Sequence, residues 1–199
     1  MNKVQVAAHP SLRAEVFICR FPSPIGELVS PDWLTSYFSQ RGDCPMQFTP
    51  ASREAVRALL RQSGFKPSGR SKPASEFLEK LLNDQKMGSI NLPVDLCNAA
   101  SLWSGFPISV VDLDLVTAPL RLQAVAADEA GPFKEYVFNP SGQVLDLRGL
   151  LCLWDAEGPT GSPVKDSQRT KTHSGTCNTL SVVWGCNACL LYTSPSPRD

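Results

Sequence analysis

Three cations lie in a short loop of this 199-residue chain, within a stretch patterned by glycine and proline at residues 64–73. Lys66, Arg70 and Lys72 are separated there by proline, serine and glycine, which predicts a bent backbone with accessible amides. A helix is predicted to follow over residues 74–84, and the first turn of a helix favours negative charge. The loop therefore predicts an anion as its ligand, with a solvated basic turn as the alternative.

A second group of basic residues lies about a hundred positions later, in a segment at 155–176 that is predicted to be a loop. It carries Lys165, Arg169, Lys171 and His173. If the fold brings the two loops together, they would form one surface for phosphate groups. The predicted phosphate contacts are Lys66, Arg70, Lys72, Arg169 and Lys171.

Side chains for nucleophilic or metal chemistry are few. The chain has two histidines, His9 in a tail-like start and His173 in a loop, and neither lies in a Ser-His-Asp or Cys-His pattern. The seven cysteines are scattered and several lie in apolar runs, which favours reduced core thiols over a disulfide framework. The sequence predicts no metal site and no cofactor.

The end of the chain carries a misleading motif. Cys186 and Cys189 form a CxxC pattern, but the string LLYTSPSPRD at residues 190–199 resembles the read-through translation of a common sequencing adapter. That read-through would also supply Cys189. We therefore expect residues 189–199 to be non-native, the native chain to be truncated near Ala188, and the CxxC pattern to have no chemical meaning.

The overall composition is that of a globular protein, with 42% hydrophobic and 19% charged residues. We expect residues 1–188 to form one domain. Basic and acidic residues number 19 each, so any RNA contact must come from a local patch rather than from global basicity. No apolar run has the roughly 18 residues that span a bilayer, and the start lacks the apolar core of a signal peptide. A cytoplasmic location with no membrane partner is expected.

Helices and strands alternate irregularly, which predicts an α+β fold. Helices are predicted to begin at Ser30-Pro31, with Ser30 as N-cap, at Thr49-Pro50, at Ala74 and at Pro93. The last of these ends before Gly105 and is nearly uncharged, so it should be mostly buried. Strands are predicted over residues 15–21, 107–111, 120–125, 135–138, 143–145 and 179–184.

Residues 91–114 resemble the B3/B4 domain, the tRNA-binding and editing module of the bacterial phenylalanyl-tRNA synthetase β chain. The similar residues are Asp95, Asn98, Gly105, Pro107 and Asp112. Segments at 72–78, 91–95 and 163–172 also resemble, in the same order, those of free-standing proteins of this family. The resemblance implies an α+β layered β-sandwich of unusual topology with flanking helices.

The resemblance also implies a pocket for the aminoacyl end of tRNA, lined by Asn98, Ser109 and Asp112. The family's module has a histidine in this pocket at the position of Ser109, and a serine cannot titrate near neutral pH. The chain therefore departs from the synthetase's arrangement at that point.

Two functions from different classes follow. The first is binding of tRNA or another RNA, with or without hydrolysis of a mischarged aminoacyl ester by a positioned water and oxyanion donors. The second is a non-catalytic module that holds an amino acid or a small metabolite in the same cleft. The sequence leaves open whether the protein is an enzyme, and a steep loss of tRNA affinity with salt would separate the two functions.

Overall fold

The computed structural model describes residues 4–38 and 49–186. The Arg41-Gly42-Asp43 tripeptide, whose glycine and aspartate predict a turn, lies outside these residues, as do Cys189 and the adapter-like string. The described helices are α1 (Asp32–Ser36), α2 (Pro50–Arg61), α3 (Ala74–Asn83) and α4 (Leu92–Ser104). The three longer ones confirm the predicted helix starts to within one residue.

Local sequence explains the best-defined helix start. Thr49 and Ser52 form a reciprocal cap on α2, in which the Ser52 N–H donates to Thr49 Oγ1 at 3.1 Å and the Thr49 N–H donates to Ser52 Oγ at 2.9 Å. Val56, Leu59 and Leu60 then place one apolar face of the helix in the core.

The predicted N-cap of α1 is wrong. Pro31 occupies that position and makes no side-chain cap, whereas the Ser30 hydroxyl donates to the buried carboxylate of Asp95 at 2.5 Å. A tertiary partner has therefore displaced the local capping interaction.

The strands form three open sheets. A four-stranded sheet has the order β1-β4-β7-β8, a three-stranded sheet has the order β2-β9-β3, and β5 pairs with β6 in a hairpin. The strands are β1 (Val4–Val6), β2 (Leu12–Arg20), β3 (Ile108–Asp112), β4 (Leu120–Ala124), β5 (Glu135–Val137), β6 (Val144–Asp146), β7 (Leu151–Asp155), β8 (Gly158–Gly161) and β9 (Asn178–Cys186). With four helices beside them, the described fold is α+β.

The main core lies between the two larger sheets, with one face of α2 packed into it. Apolar side chains of β4 and β7 meet those of β3 and β9 there, as expected of two sheets packed face to face. The buried residues from the strands include Leu120, Leu122, Leu151 and Leu153 on one side and Val111, Leu180, Val182 and Trp184 on the other.

Strand β7 is buried on both faces. Its odd-numbered leucines enter the main core, whereas Cys152 and Trp154 enter a second cluster with Phe65 and Leu145. The β5–β6 hairpin covers this second face through Leu145 and Tyr136. The alternation follows from the two-residue period of a strand.

Three described strands, β1, β7 and β8, lie outside the predicted strand ranges, and two of them occupy segments expected to have no strand. The start of the chain, expected to be tail-like, forms β1, which runs parallel to β4 from Val4 to Val6. Within the expected loop at 155–176, Gly158–Gly161 forms β8 on the edge of β7. Both strands are short, and β8 consists mostly of Gly and Pro, which are poor strand formers. Pairing with a neighbouring strand therefore determines their conformation rather than local preference.

Burial on α4 is less complete than its composition suggests. Leu96 and Trp103 are 41% and 55% exposed, although Cys97 and Leu102 are buried. The expectation of reduced thiols is consistent with Cys19, Cys97, Cys152 and Cys177, which are free thiols.

Candidate nucleic-acid interface

The two basic loops meet in space. The first loop ends where α3 begins, and there the Ala74 N–H donates to the Pro163 carbonyl of the second loop at 2.8 Å. The second loop is held in turn by the β5–β6 hairpin, because the Tyr136 hydroxyl donates to the Lys165 carbonyl. The contact joins segments that lie about ninety residues apart in the chain.

Three cations converge at this junction. Burial lowers the pKa of Lys165, and the positive charges of Arg70 and Lys171 lower it further. The Lys165 ammonium also lies 3.9 Å from the centre of the Phe138 ring, a cation–π contact. Arg70 therefore brings the first loop within electrostatic reach of the second.

Lys171 is anchored beside the same aromatic residue. Its ammonium donates to the Phe138 carbonyl at 2.5 Å. Burial lowers the pKa of Lys171, while the nearby carboxylate of Asp166 acts in the opposite direction. The residue is half-buried.

The three cations of the first loop are open to solvent. Lys66, Arg70 and Lys72 are exposed, and none forms a salt bridge with an acidic residue of the described chain. We call Lys66, Arg70, Lys72, Lys165 and Lys171 together the basic surface. Its positive charges are available to an external anion.

Arg169 differs from the other predicted contacts because it already has partners. Its guanidinium binds both carboxylate oxygens of the buried Asp155, at 2.8 and 3.0 Å, and reaches Glu157 at 3.4 Å. Burial alone would raise the pKa of Asp155, but Arg169 and the backbone N–H groups of Thr117 and Glu157 outweigh it and lower the pKa. Arg169 therefore stabilises the fold through its ion pair with Asp155, and about a third of its side chain is exposed.

A half-buried acidic residue lies behind the basic surface. Asp166 accepts the Ser162 N–H and the Val110 N–H, both at 3.1 Å. These bonds join the end of β8 to the free edge of β3, so Asp166 bridges the two large sheets. Burial raises its pKa to about 6, even though its hydrogen bonds favour the charged form.

Ser109, predicted to line a pocket, is fully engaged between the sheets. Its hydroxyl accepts the Trp184 indole N–H at 2.9 Å and donates to the Ser162 carbonyl at 3.0 Å. The residue is 1% exposed.

Asp112, the second predicted pocket residue, lies on the opposite face of β3 because the two residues are an odd number of positions apart. Its carboxylate accepts the Thr176 hydroxyl at 2.5 Å and the Asp114 N–H at 2.9 Å. The structure therefore does not bring the side chains of Ser109 and Asp112 together.

His173 completes the surroundings of Asp112. Its Nε2 lies 3.3 Å from Asp112 Oδ2, and its Nδ1 accepts the Gly175 N–H at 3.1 Å. Both ring nitrogens thus have a partner. His173 has no free nitrogen with which to act as a general base in this arrangement.

Asn98, the third predicted pocket residue, lies on α4 and is half-buried. Among the described residues its amide has no side-chain hydrogen-bond partner, so it can serve an external ligand. Its neighbour Cys97 is buried beside Ser181, with 3.6 Å between Sγ and Oγ. Burial raises the pKa of this thiol to about 11, which makes it a poor nucleophile.

Sequence reasoning missed two residues of the junction. Lys165 was grouped with the second loop but not among the phosphate contacts, and Asp166 was given no role. An acid inside a basic stretch gives no local signal, and its partner Val110 lies 56 residues away. Only the folded arrangement of β3 and β8 reveals the bridge.

Within the described ranges, no group of His, Cys, Asp and Glu side chains is arranged to hold a metal ion. Across the same part of the chain, no helix combines the length and apolar character needed to cross a membrane.

No family model matches the chain, and no curated protein matches it. Among solved structures, it is similar to a crystal structure of an N-terminal fragment of the phenylalanyl-tRNA synthetase beta-subunit from Pyrococcus horikoshii. The identity is 18% and the TM-score is 0.39, over 46% of this chain and 33% of that one. The chain thus spans about a third of the length of the structure it matches.

Proposed function

We propose that this protein binds RNA through the basic surface. The observation that carries the proposal is the meeting of two basic loops distant in sequence, where the Ala74 N–H donates to the Pro163 carbonyl at 2.8 Å and the charges of Arg70 and Lys171 lower the pKa of Lys165. Repulsion between like charges costs stability unless an anion balances it. A phosphate backbone supplies regularly spaced anions, and it accounts for a local basic surface on a chain of zero net charge.

Transfer RNA is the RNA that we propose. The support comes from the motif residues of 91–114, which resemble those of the B3/B4 module and include Asn91, Asp95 and Asn98. Asn91 caps α4 by accepting the Val94 N–H at 3.1 Å and also donates to Thr172 of the second basic loop at 3.2 Å. The start of the motif helix and the second basic loop are therefore connected by a direct hydrogen bond.

The first experiment measures the affinity of the full chain for fluorescently labelled tRNA by anisotropy. Arg70→Gln removes one unpaired positive charge from the basic surface, and we expect it to weaken binding by about threefold to tenfold. Lys80→Gln makes the same change of charge at a lysine already paired with Asp84 at 2.5 Å. It should change the affinity by less than about twofold. Equal effects of the two variants would contradict the proposal.

Hydrolysis of a mischarged aminoacyl ester is the catalytic form of this proposal. The half-buried Asn98 amide would orient the substrate or a water, and no residue of the chain would form a covalent intermediate. As pocket residues, Ser109 and Asp112 stay predictions.

A deacylation assay with tyrosine-charged phenylalanine tRNA tests this form. We expect hydrolysis that Asn98→Ala reduces by at least about tenfold, because a positioning hydrogen bond is lost. Asn83→Ala, at an exposed position on the end of α3, is the matched control and should leave the rate unchanged. Absence of hydrolysis in the folded wild-type protein would leave a binding function and remove the catalytic one.

A module for an amino acid or a small metabolite is the alternative, favoured by the zero net charge and by the free amide of Asn98. Such a ligand would make few phosphate contacts, so its affinity would depend weakly on salt.

A further inference from the structure

Strand β2 forms one edge of the three-stranded sheet. It runs for nine residues, Leu12–Arg20, and pairs with β9 along its whole length. On its other side the described chain places no strand. A long open edge of this kind offers backbone groups to an additional strand.

The register identifies the backbone groups that face outward. The Phe21 N–H donates to the Cys177 carbonyl at 2.9 Å and continues the β2–β9 pairing beyond the strand. Since bonded and non-bonded pairs alternate in an antiparallel ladder, the odd-numbered residues of β2 exchange bonds with β9. The N–H groups of Ala14, Val16 and Ile18 therefore point to the open edge.

The other edge of the same sheet is closed. There the outward-facing Val110 N–H of β3 donates to the Asp166 carboxylate, and the Ser109 hydroxyl donates to the second loop. On β2 the described residues satisfy the outward groups of Leu12, whose N–H donates to His9 Nδ1 at 3.1 Å and whose carbonyl accepts Arg13 Nη1 at 3.2 Å.

Apolar side chains emerge on both faces of β2 near the open edge. Phe17 is 42% exposed, and Ile18, which lies on the core face opposite Leu180, is 39% exposed. Proteins often interrupt a long edge strand with a bulge. The described β2 ladder has no bulge along its length.

The charged side chains of β2 can pair with those of the same strand in a second copy. Arg13 and Glu15 are exposed and flank Ala14. If two copies pair antiparallel about a two-fold axis at Ala14, each Arg13 lies directly opposite Glu15 of the second copy, twice in the interface. We propose that this protein self-associates through β2 in that register, with a second copy as the occupant of the edge. Two sheets of three strands then become one continuous sheet.

Sedimentation velocity on the full chain tests the proposal. An interface formed by one pair of strands is small and therefore weak, so the concentration range should extend to roughly 100 μM. We expect a concentration-dependent rise toward twice the 21.6 kDa mass of one chain. A wild-type protein that stays monomeric over this range would overturn the proposal.

Charge-reversal variants test the register. Arg13→Glu or Glu15→Arg places like charges opposite each other twice and should weaken association by at least about tenfold. The double variant Arg13→Glu/Glu15→Arg restores opposite charges and should restore association. Arg20→Glu makes the same charge change outside the paired segment and should have less than about a twofold effect. Failure of the double variant to restore association, with folding confirmed by circular dichroism, would overturn the Ala14-centred register.

Discussion

At the scale of residues, acidic side chains of this chain stabilise the fold by accepting hydrogen bonds from other parts of the chain. Asp95, a motif residue in the sequence, is fully buried and accepts hydrogen bonds from Ser30, Ser89 and the Ile90 N–H. Its carboxylate ties the start of α4 to the segment before α1. Removing it would leave the buried Ser30 hydroxyl without its partner, together with two donors on the more exposed residues Ser89 and Ile90.

Asp166 gives a pH dependence with a defined sign. Its pKa in the folded protein is about 6, above the ordinary 3.8. The folded state therefore favours the protonated form, so this stabilising contribution is complete at pH below 3.8 and is lost as the pH rises through about 6. We expect the unfolding free energy of wild type, relative to Asp166→Asn, to fall across this window.

Urea unfolding of both proteins at several pH values measures this difference. Asp128→Asn, at an exposed acid, is the control and should show no such trend. A difference that is constant or rises with pH would show that the pKa of Asp166 is not raised.

The residues of the site could be predicted only in part. Lys66, Arg70 and Lys72 are signalled by local composition, because a basic loop before a helix is a short-range pattern. The pairing of Arg169 with Asp155 and the bridge from Asp166 to Val110 are long-range, and one sequence gives no trace of them.

At the scale of elements, the same distinction holds. Helix α2 could be predicted because its cap and its apolar periodicity are short-range sequence signals within and beside a twelve-residue segment. Strand β8 could not, since its sequence GPTG lacks every strand former except threonine. Its four residues are all buried, and pairing with β7 determines the conformation.

The turn between β6 and β7 positions the first basic loop and can be tested directly. Gly149 has a φ of +73°, and a Cβ there would lie 2.5 Å from the Ser63 carbonyl oxygen and 2.6 Å from the Phe65 nitrogen. We expect Gly149→Ala to lower the unfolding free energy by about 2–5 kcal/mol, from backbone strain and overpacking together.

Gly142 supplies the matched control, because its φ is +77° but no atom lies within 4 Å of the added Cβ. Gly142→Ala should cost only the backbone strain, about 1–2 kcal/mol. Urea unfolding compares the two variants, and equal losses would show that the contact with residues 63–65 is not tight.

At the scale of the whole molecule, two packed sheets with flanking helices bring distant loops to one place. The α+β class follows from the order of local patterns, whereas the meeting of the loops depends on how β3, β8 and the hairpin pack. Zero net charge means that the field of the basic surface is local. Binding should then depend on a few direct phosphate contacts rather than on general attraction.

The central claim is tested most directly by the salt dependence of tRNA binding. If the five cations of the basic surface each contact a phosphate, the logarithm of the association constant should fall with the logarithm of salt concentration with a slope of about −3 to −5. The variant Arg70→Gln/Lys165→Gln should reduce the magnitude of that slope by about 1.5 to 2. Binding that is insensitive to salt, or a slope that the variant leaves unchanged, would contradict RNA recognition by this surface.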